Sequence, residues 1–327
     1  MKRLRMAALV LAGLLLSAML TGCMRQGRGE GWTPVEDVPK LPEKLKQSND
    51  AGLPMITVYD AANDALTEMD IETYVSGVVA GEMKNDWPIE ALKAQAILAR
   101  TFTLRFCQDK KSKYKGADIS TDVTEAQAYD AESVNDRVRD AVRQTRGMAM
   151  AYRGEYPYAW FHAHSGGMTE LPTVSLDFEG EDPAYLKPVE SKESSRAPED
   201  VKRWTASFTK QEVAAACADA GLKISADAIE TVEAGEKGAS GRIKTLRVNG
   251  KPVSAASFRI QIGANRLKST LIDDISVDGN RVTFRGKGFG HGVGLSQWGA
   301  YAMAESGDDA ESIIRHYFQN VGIVKLW

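Results

Sequence analysis

The chain has 327 residues, 43% of them hydrophobic and 26% charged, with a formal net charge of −3. That is enough material for a sizeable core, and the mixing of both signs excludes the basic stripe of a nucleic-acid binder. Charge alone leaves peptide and a polymer of acidic or neutral sugars equally open as substrates.

Residues 1–22 have the parts of a secretory signal: basic Lys2, Arg3 and Arg5, an apolar run from Met6 to Leu20, then small residues. Leu20-Thr21-Gly22-Cys23 reads as a lipoprotein cleavage site, with Cys23 lipidated and first in the mature chain. A transmembrane anchor is the alternative, but the run is short against ~20 residues of hydrocarbon, and an anchor needs no cysteine. Either reading puts the rest of the chain on the outer side of a cell membrane. Residues 23–53, rich in Gly, Pro, Lys and Glu without an apolar period, are expected to be a flexible tether with a reach of about 30 Å. Residues 54–327 are expected to be the folded domain.

Within that domain Met55 to Tyr59 reads as a strand and Glu72 to Val79 as a helical stretch ending near Gly81. Gly81 to Pro88 is turn-like, and Pro88 suits the first turn of a new helix. That helix, Ile89 to Phe106, is apolar nearly all round and should be buried. Lys93 and Arg100 lie on one of its faces, seven residues apart, so each needs an anion or a ligand. Glu82 is the natural partner, and a structural ion pair at the helix start is the alternative.

Residues 118–129 look irregular and 134–145 like a charged surface helix. Residues 147–152 and 156–162 alternate as strands around a turn at Arg153-Gly154. A long acidic surface loop is expected over 179–203, then a helix over 211–221. Strands over 243–248 and 277–285 flank mixed chain at 258–271, and helices over 295–304 and 311–318 close the chain. The fold class expected is α+β: one two-lobed unit with a cleft, mixed strands and a buried helix, and an inserted region at about 179–251 forming most of the second lobe.

His164-Ser165-Gly166-Gly167-Met168-Thr169-Glu170 ends a strand with small residues, which let backbone N–H groups face a ligand. A tight turn explains the glycines equally well, and no nucleophile elbow surrounds the serine. From Gly286 to Gly299 the chain is dense in glycine and carries His291, Ser296, Gln297 and Trp298. Close backbone approach to a substrate and tight helix packing both account for it; Trp298 would suit stacking on a sugar. A phosphate loop lacks its Gly-Lys-Ser/Thr. His162, His164 and His291 are three of four histidines, but no carboxylate or cysteine stands at ligand spacing, so no metal is expected. Cys107 and Cys217 either pair as a disulfide or sit as buried thiols.

The blocks Val78-Val79-Ala80-Gly81-Glu82-Met83 with Trp87-Pro88 and Glu90 to Thr101, Ser165-Gly166-Gly167 with Thr169-Glu170, and Gly288 to Ala300 occur in that order. Together they make the chain resemble the stage II sporulation protein D, or amidase-enhancer, family. The resemblance implies a peptidoglycan lytic transglycosylase without a cofactor, acting on glycan strands stripped of stem peptides by a partner cell-wall amidase during engulfment of the forespore. It places the catalytic role on Glu82. Lys93, Arg100, Ser165, Gly166, Gly167, Thr169, His291, Gln297 and Trp298 are the substrate-binding residues it suggests. A lipobox departs from the transmembrane helix common in sporulating members.

One glutamate suits this chemistry, because the sugar's own 6-hydroxyl replaces the water or second carboxylate of an ordinary glycosidase. Glu82 then needs a raised pKa, which burial against Met83 and Trp87 would favour. Arg100 would push the other way, so it is expected to hold an acetamido or lactyl group of the substrate. A silent glycan-binding module that stimulates an amidase, and a zinc hydrolase using the three histidines, are the readings from other classes.

Overall fold

The computed structural model describes residues 37–45 and 48–327. The signal segment, Cys23 and the first part of the expected tether lie outside the described residues.

The first helix, α1 (Ile71–Glu82), starts where Asp70 caps it by accepting from the Thr73 N–H at 3.0 Å. Its Ile71, Tyr74, Val75, Val78 and Val79 have no exposed surface, the three-and-four spacing of a core-facing side. It stops at Glu82, and the Met83 N–H closes the last turn on the Val79 carbonyl. After Pro88, α2 (Ile89–Asp109) runs through the first core. Ala91, Leu92, Ala94, Ala96, Ile97, Leu98 and Ala99 are all fully buried, and the alanines let neighbours approach on every side. Against it pack α1, the Asn135-capped α3 (Asp136–Gln144), and two helices from the chain end, which the first core therefore joins to its start.

Strands β1 (Met55–Asp60), β2 (Ala65–Asp70) and β3 (Ile119–Ser120) form one small sheet in the order β2-β1-β3. The hairpin expected over 147–162 is reduced to a single bridge, Tyr152 to Glu155. Instead β4 (Met148–Ala151) pairs antiparallel with the C-terminal Gly322–Lys325, and β5 (Phe161–His162) pairs parallel with Leu295–Ser296. Those partners are distant in sequence and too short to announce themselves by alternation.

A second core is built from residues between Trp204 and Phe284. Strand β6 (Arg203–Thr209) joins β10 (Ile272–Asp278) and β11 (Arg281–Lys287), while β7 (Val232–Ala234), β8 (Thr245–Val248) and β9 (Lys251–Ser254) make another sheet. Asn249 and Gly250 turn the β8–β9 hairpin with φ of 49° and 72°, the left-handed pair that a two-residue turn requires. The single strand expected over 277–285 is a hairpin broken at Gly279-Asn280, since β10 ends at Asp278 and β11 starts at Arg281. Part of the mixed chain expected at 258–271 is α5 (Ala255–Gly263), capped by Ser254 and seated by buried Phe258 and Ile262. Helix α4 (Lys210–Asp219) packs on it. The architecture is mixed α+β, with several small sheets and two cores.

Two loop expectations change. Leu45 is 1% exposed and belongs to the first core, and the Lys40 carbonyl accepts from the Tyr156 hydroxyl at 3.3 Å. That stretch of the expected tether is packed. Tyr185, Leu186 and Ala197 are likewise buried within the expected surface loop over 179–203. Cys107 in α2 and Cys217 in α4 are free thiols, pushed up by burial to about 12 and about 11. None of the helices among the described residues is long and apolar enough to cross a membrane.

Candidate active site

Glu82 is the last residue of α1, where the helix presents its negative end. Its carboxylate accepts from the Ala128 N–H at 2.7 Å. It borders an open recess of about 440 Å³ lined by Ala80 to Asn85 and Ser133. Burial pushes the carboxyl up to about 7, against the opposing pull of the Ala128 N–H and the Gln297 amide. A group poised there exchanges a proton readily near neutrality.

Gly81 makes this arrangement possible. A Cβ on it would stand 2.7 Å from the Tyr129 nitrogen and 2.8 Å from the Ala128 carbonyl carbon, so only glycine lets that loop reach the helix end. Gly81→Ala is expected to displace the loop, break the Ala128–Glu82 hydrogen bond, and lose about 1–3 kcal/mol of stability. Denaturant unfolding together with turnover of glycan strands checks both effects.

The chain end supplies the next contact. Strand β12 (Leu295–Ser296) leads into α6 (Gln297–Glu305), and Gln297 Nε2 donates to the Glu82 main-chain carbonyl at 3.1 Å. Helix α7 (Ala310–Tyr317) and β13 (Gly322–Lys325) then complete the first core. Trp298 does not serve as a sugar platform. It is 7% exposed, with its ring 4.5 Å from Trp87 and 5.3 Å from Tyr301.

The two cations on α2 pair with carboxylates other than Glu82. Arg100 has no exposed surface and pairs with Glu72 through Nε at 3.0 Å and Nη2 at 2.5 Å. Its Nη1 donates to the Met148 carbonyl at 2.8 Å, so its donors are spent inside the fold. Glu72 also accepts from the Gly147 N–H and Trp327 Nε1, both at 3.0 Å. Lys93 pairs with Glu90 at 2.8 Å, and Glu90 also accepts from the Ala310 N–H at 2.9 Å, at the start of α7. The expected substrate contact of Arg100 and the expected Glu82 pairing are therefore replaced by structural ion pairs. Arg100 is not among the groups that set the Glu82 pKa.

The Ser165 loop is tied together internally. Ser165 is fully buried; its N–H donates to Glu193 at 2.9 Å and its hydroxyl also bonds that carboxylate. Ser296 donates to the same Glu193 at 2.9 Å, so one carboxylate clamps the two motif loops. The Gly166 N–H donates to His164 Nδ1 and the Gly167 N–H to Ser165 Oγ, each at 3.0 Å. These N–H groups, expected to face a ligand, turn inward. Thr169 Oγ1 accepts from the Val189 N–H at 2.8 Å. His291 Nδ1 accepts from the Val293 N–H at 3.0 Å, and its ring lies 5.7 Å from that of His162. Burial first, then Arg259 and Arg242, push His291 down to about 3. Burial also holds His162 well below the usual histidine range, so both rings are neutral. Among the described residues no three His, Cys, Asp or Glu side chains are grouped as a metal ion would require.

The structure thus brings Gln297 to Glu82, and Ser165 to Ser296 beside Gln297, while Lys93 and Arg100 stay with partners of their own. Glu193, Glu72 and the Ala128 N–H carry no motif and are visible only in the fold.

Known proteins match this framework. Residues 59–152 match the family described as stage II sporulation protein, and residues 173–294 match a domain of unknown function. The stage II sporulation protein D of Bacillus subtilis is 30% identical over 283 residues, covering 82% of this chain and 78% of that protein. An uncharacterized protein of Brachyspira hyodysenteriae is 31% identical over 271 residues, covering 83% of this chain and 71% of its own. The amidase enhancer of Bacillus subtilis is 29% identical over 294 residues, covering 75% of this chain but 39% of that longer protein. With similarity extending over most of both chains, this chain belongs to the stage II sporulation protein D family.

Proposed function

We propose that the chain is a lytic transglycosylase that cuts the bond between N-acetylmuramic acid and N-acetylglucosamine in peptidoglycan, working on peptide-free glycan strands during sporulation engulfment. The observation that carries this reading is Glu82, a single carboxyl held at about 7 beside an open recess. The protonated Glu82 gives its proton to the glycosidic oxygen as the C1–O bond breaks. The 6-hydroxyl oxygen of the same muramic residue then bonds to C1, and Glu82 takes up the hydroxyl proton. The glutamate ends as it began, and the new end is a 1,6-anhydro sugar. Gln297, on the Glu82 carbonyl, and the Ala128 N–H hold the acid in place. In this reading the strand passes the recess at Glu82, and a lipid on Cys23 keeps the enzyme at the outer face of the membrane, next to the wall.

Incubation of the purified protein with glycan strands, with and without stem peptides, tests the proposal. The expected result is anhydro ends by mass spectrometry, formed faster on peptide-free strands. Absence of cleavage would favour the second reading, a glycan-binding module that stimulates a cell-wall amidase, which the similarity to an amidase enhancer supports. Under that reading Glu82→Gln leaves the function in cells intact.

A further inference from the structure

Burial of Trp298 leaves the sugar-stacking role unfilled, and the fold offers another aromatic for it. Tyr301 stands four residues after Gln297 on α6, hence on the same face and about 6 Å further along the axis. Gln297 is the residue whose amide bonds to Glu82. Tyr301 also meets Trp87, from the link that follows Glu82, so its ring stands beside both chain segments that bear on the acid.

The ring of Tyr301 is held rigidly and is not enclosed. It lies edge-on to Trp87 at 5.1 Å and tilted against Trp298 at 5.3 Å. Those two tryptophans are 6% and 7% exposed, whereas Tyr301 keeps part of its surface in solvent. Trp87 stands five residues after Glu82, on the link between α1 and α2, so the aromatic stack is built on the segment that leaves the acid.

A paired cation and anion border the same ring. Glu305 accepts from the Tyr301 hydroxyl at 3.3 Å and from Arg196 at 3.2 Å, and both charged side chains are exposed, at 38% and 68%. A purely apolar ligand has no use for such a border. A pyranose does, because it presents a C–H face to the aromatic ring and hydroxyl or acetamido groups at its edge, where a guanidinium donates and a carboxylate accepts.

We infer that Tyr301 is the platform of a sugar subsite, on which one N-acetylated sugar of the strand stacks while Arg196 and Glu305 hold its polar edge. The inference rests on the glycan-cleaving reading for the identity of the ligand. The site sets affinity and register, and it takes no part in proton transfer.

The test is a titration of the Glu82→Gln protein with a peptide-free tetrasaccharide of alternating N-acetylglucosamine and N-acetylmuramic acid, followed by tryptophan fluorescence. Binding is expected to perturb Trp87 and Trp298 beneath the sugar. Adding Tyr301→Ala is expected to weaken binding about tenfold, whereas Tyr301→Phe, which keeps the ring, retains most of it. Arg196→Ala, a change at an exposed side chain that leaves the aromatic stack untouched, is expected to weaken binding severalfold. With Glu82 intact, Tyr301→Ala is expected to raise KM and leave kcat close to its starting value, the mark of uniform binding.

Unchanged affinity in both Tyr301→Ala and Arg196→Ala overturns the inference, as does a tetrasaccharide that does not bind at all. If Tyr301→Ala fails to fold, Arg196→Ala and Tyr301→Phe decide. The two readings fail separately. Anhydro ends formed by a Tyr301→Ala enzyme with unaltered KM remove the subsite and leave the reaction. Tyr301-dependent binding without any anhydro ends removes the reaction and leaves the subsite.

Discussion

Glu82→Gln turns over peptide-free glycan about 100- to 10,000-fold more slowly than the unaltered enzyme, the range that loss of one general acid–base group produces, and it gains stability above neutral pH. The first effect follows because an amide neither donates the proton to the glycosidic oxygen nor removes it from the 6-hydroxyl. A glutamine oxygen still accepts from the Ala128 N–H, so the local fold has no reason to change. The second effect follows from linkage. The folded carboxyl titrates at about 7, above the ordinary glutamate value of 4.5. Below the lower value the group is protonated in both states and contributes nothing unfavourable. Between the two, the unfolded chain releases the proton first, so stability declines as pH rises, and the loss is complete above the higher value. Glutamine removes that loss, a gain of about 1–3 kcal/mol. Thermal unfolding of both proteins on either side of this window is the check: the melting curves coincide at the acid end and separate at the alkaline end. Wild-type activity, which needs the protonated acid, declines above about 7.

Arg100→Ala acts on the other half of the account. With the guanidinium gone, Glu72 keeps its bonds to the Gly147 N–H and Trp327 Nε1 but loses its only charge partner among the described residues, with little solvent to replace it. Removal of one member of a buried pair is expected to cost about 3–5 kcal/mol. The Met148 carbonyl is left without its guanidinium donor as well, at the β4 strand that the chain end completes. The measurement is urea unfolding of the variant alongside Arg100→Met with Glu72→Gln. The double variant, which removes both charges, should recover part of the loss. A substrate-binding arginine would instead show near-normal unfolding and a raised KM.

The two results separate what the amino-acid pattern declared from what only the fold declares. Helix α2 was legible because alanine and leucine occupy its whole circumference, and α1, α4, α6 and α7 were legible as helical stretches to within a few residues of their ends. Glu82 and Gln297 could be singled out only through motif resemblance, since nothing local joins residues so far apart in the chain. Arg100 misled because its true partner, Glu72, lies 28 residues upstream, on another helix whose facing side depends on how the two pack. Glu193 had no signal for the same reason: it comes from a segment of loop-like composition, yet it holds Ser165 and Ser296. Trp298 misled differently. An aromatic after a glycine-rich run reads as exposed, but Trp87 packs against it and leaves Tyr301 as the outer ring. Short strands such as Gly322–Lys325 pair with residues far off in sequence and carry too few side chains for a period.

The most direct measurement of the central claim is cleavage of peptide-free glycan in heavy-oxygen water, with the new ends weighed by mass spectrometry. If Glu82 relays the proton and the 6-hydroxyl closes on C1, the new muramic ends are anhydro sugars that contain no label and disappear with Glu82→Gln. Labelled reducing ends from the wild-type enzyme would show that water is the nucleophile and would contradict the account.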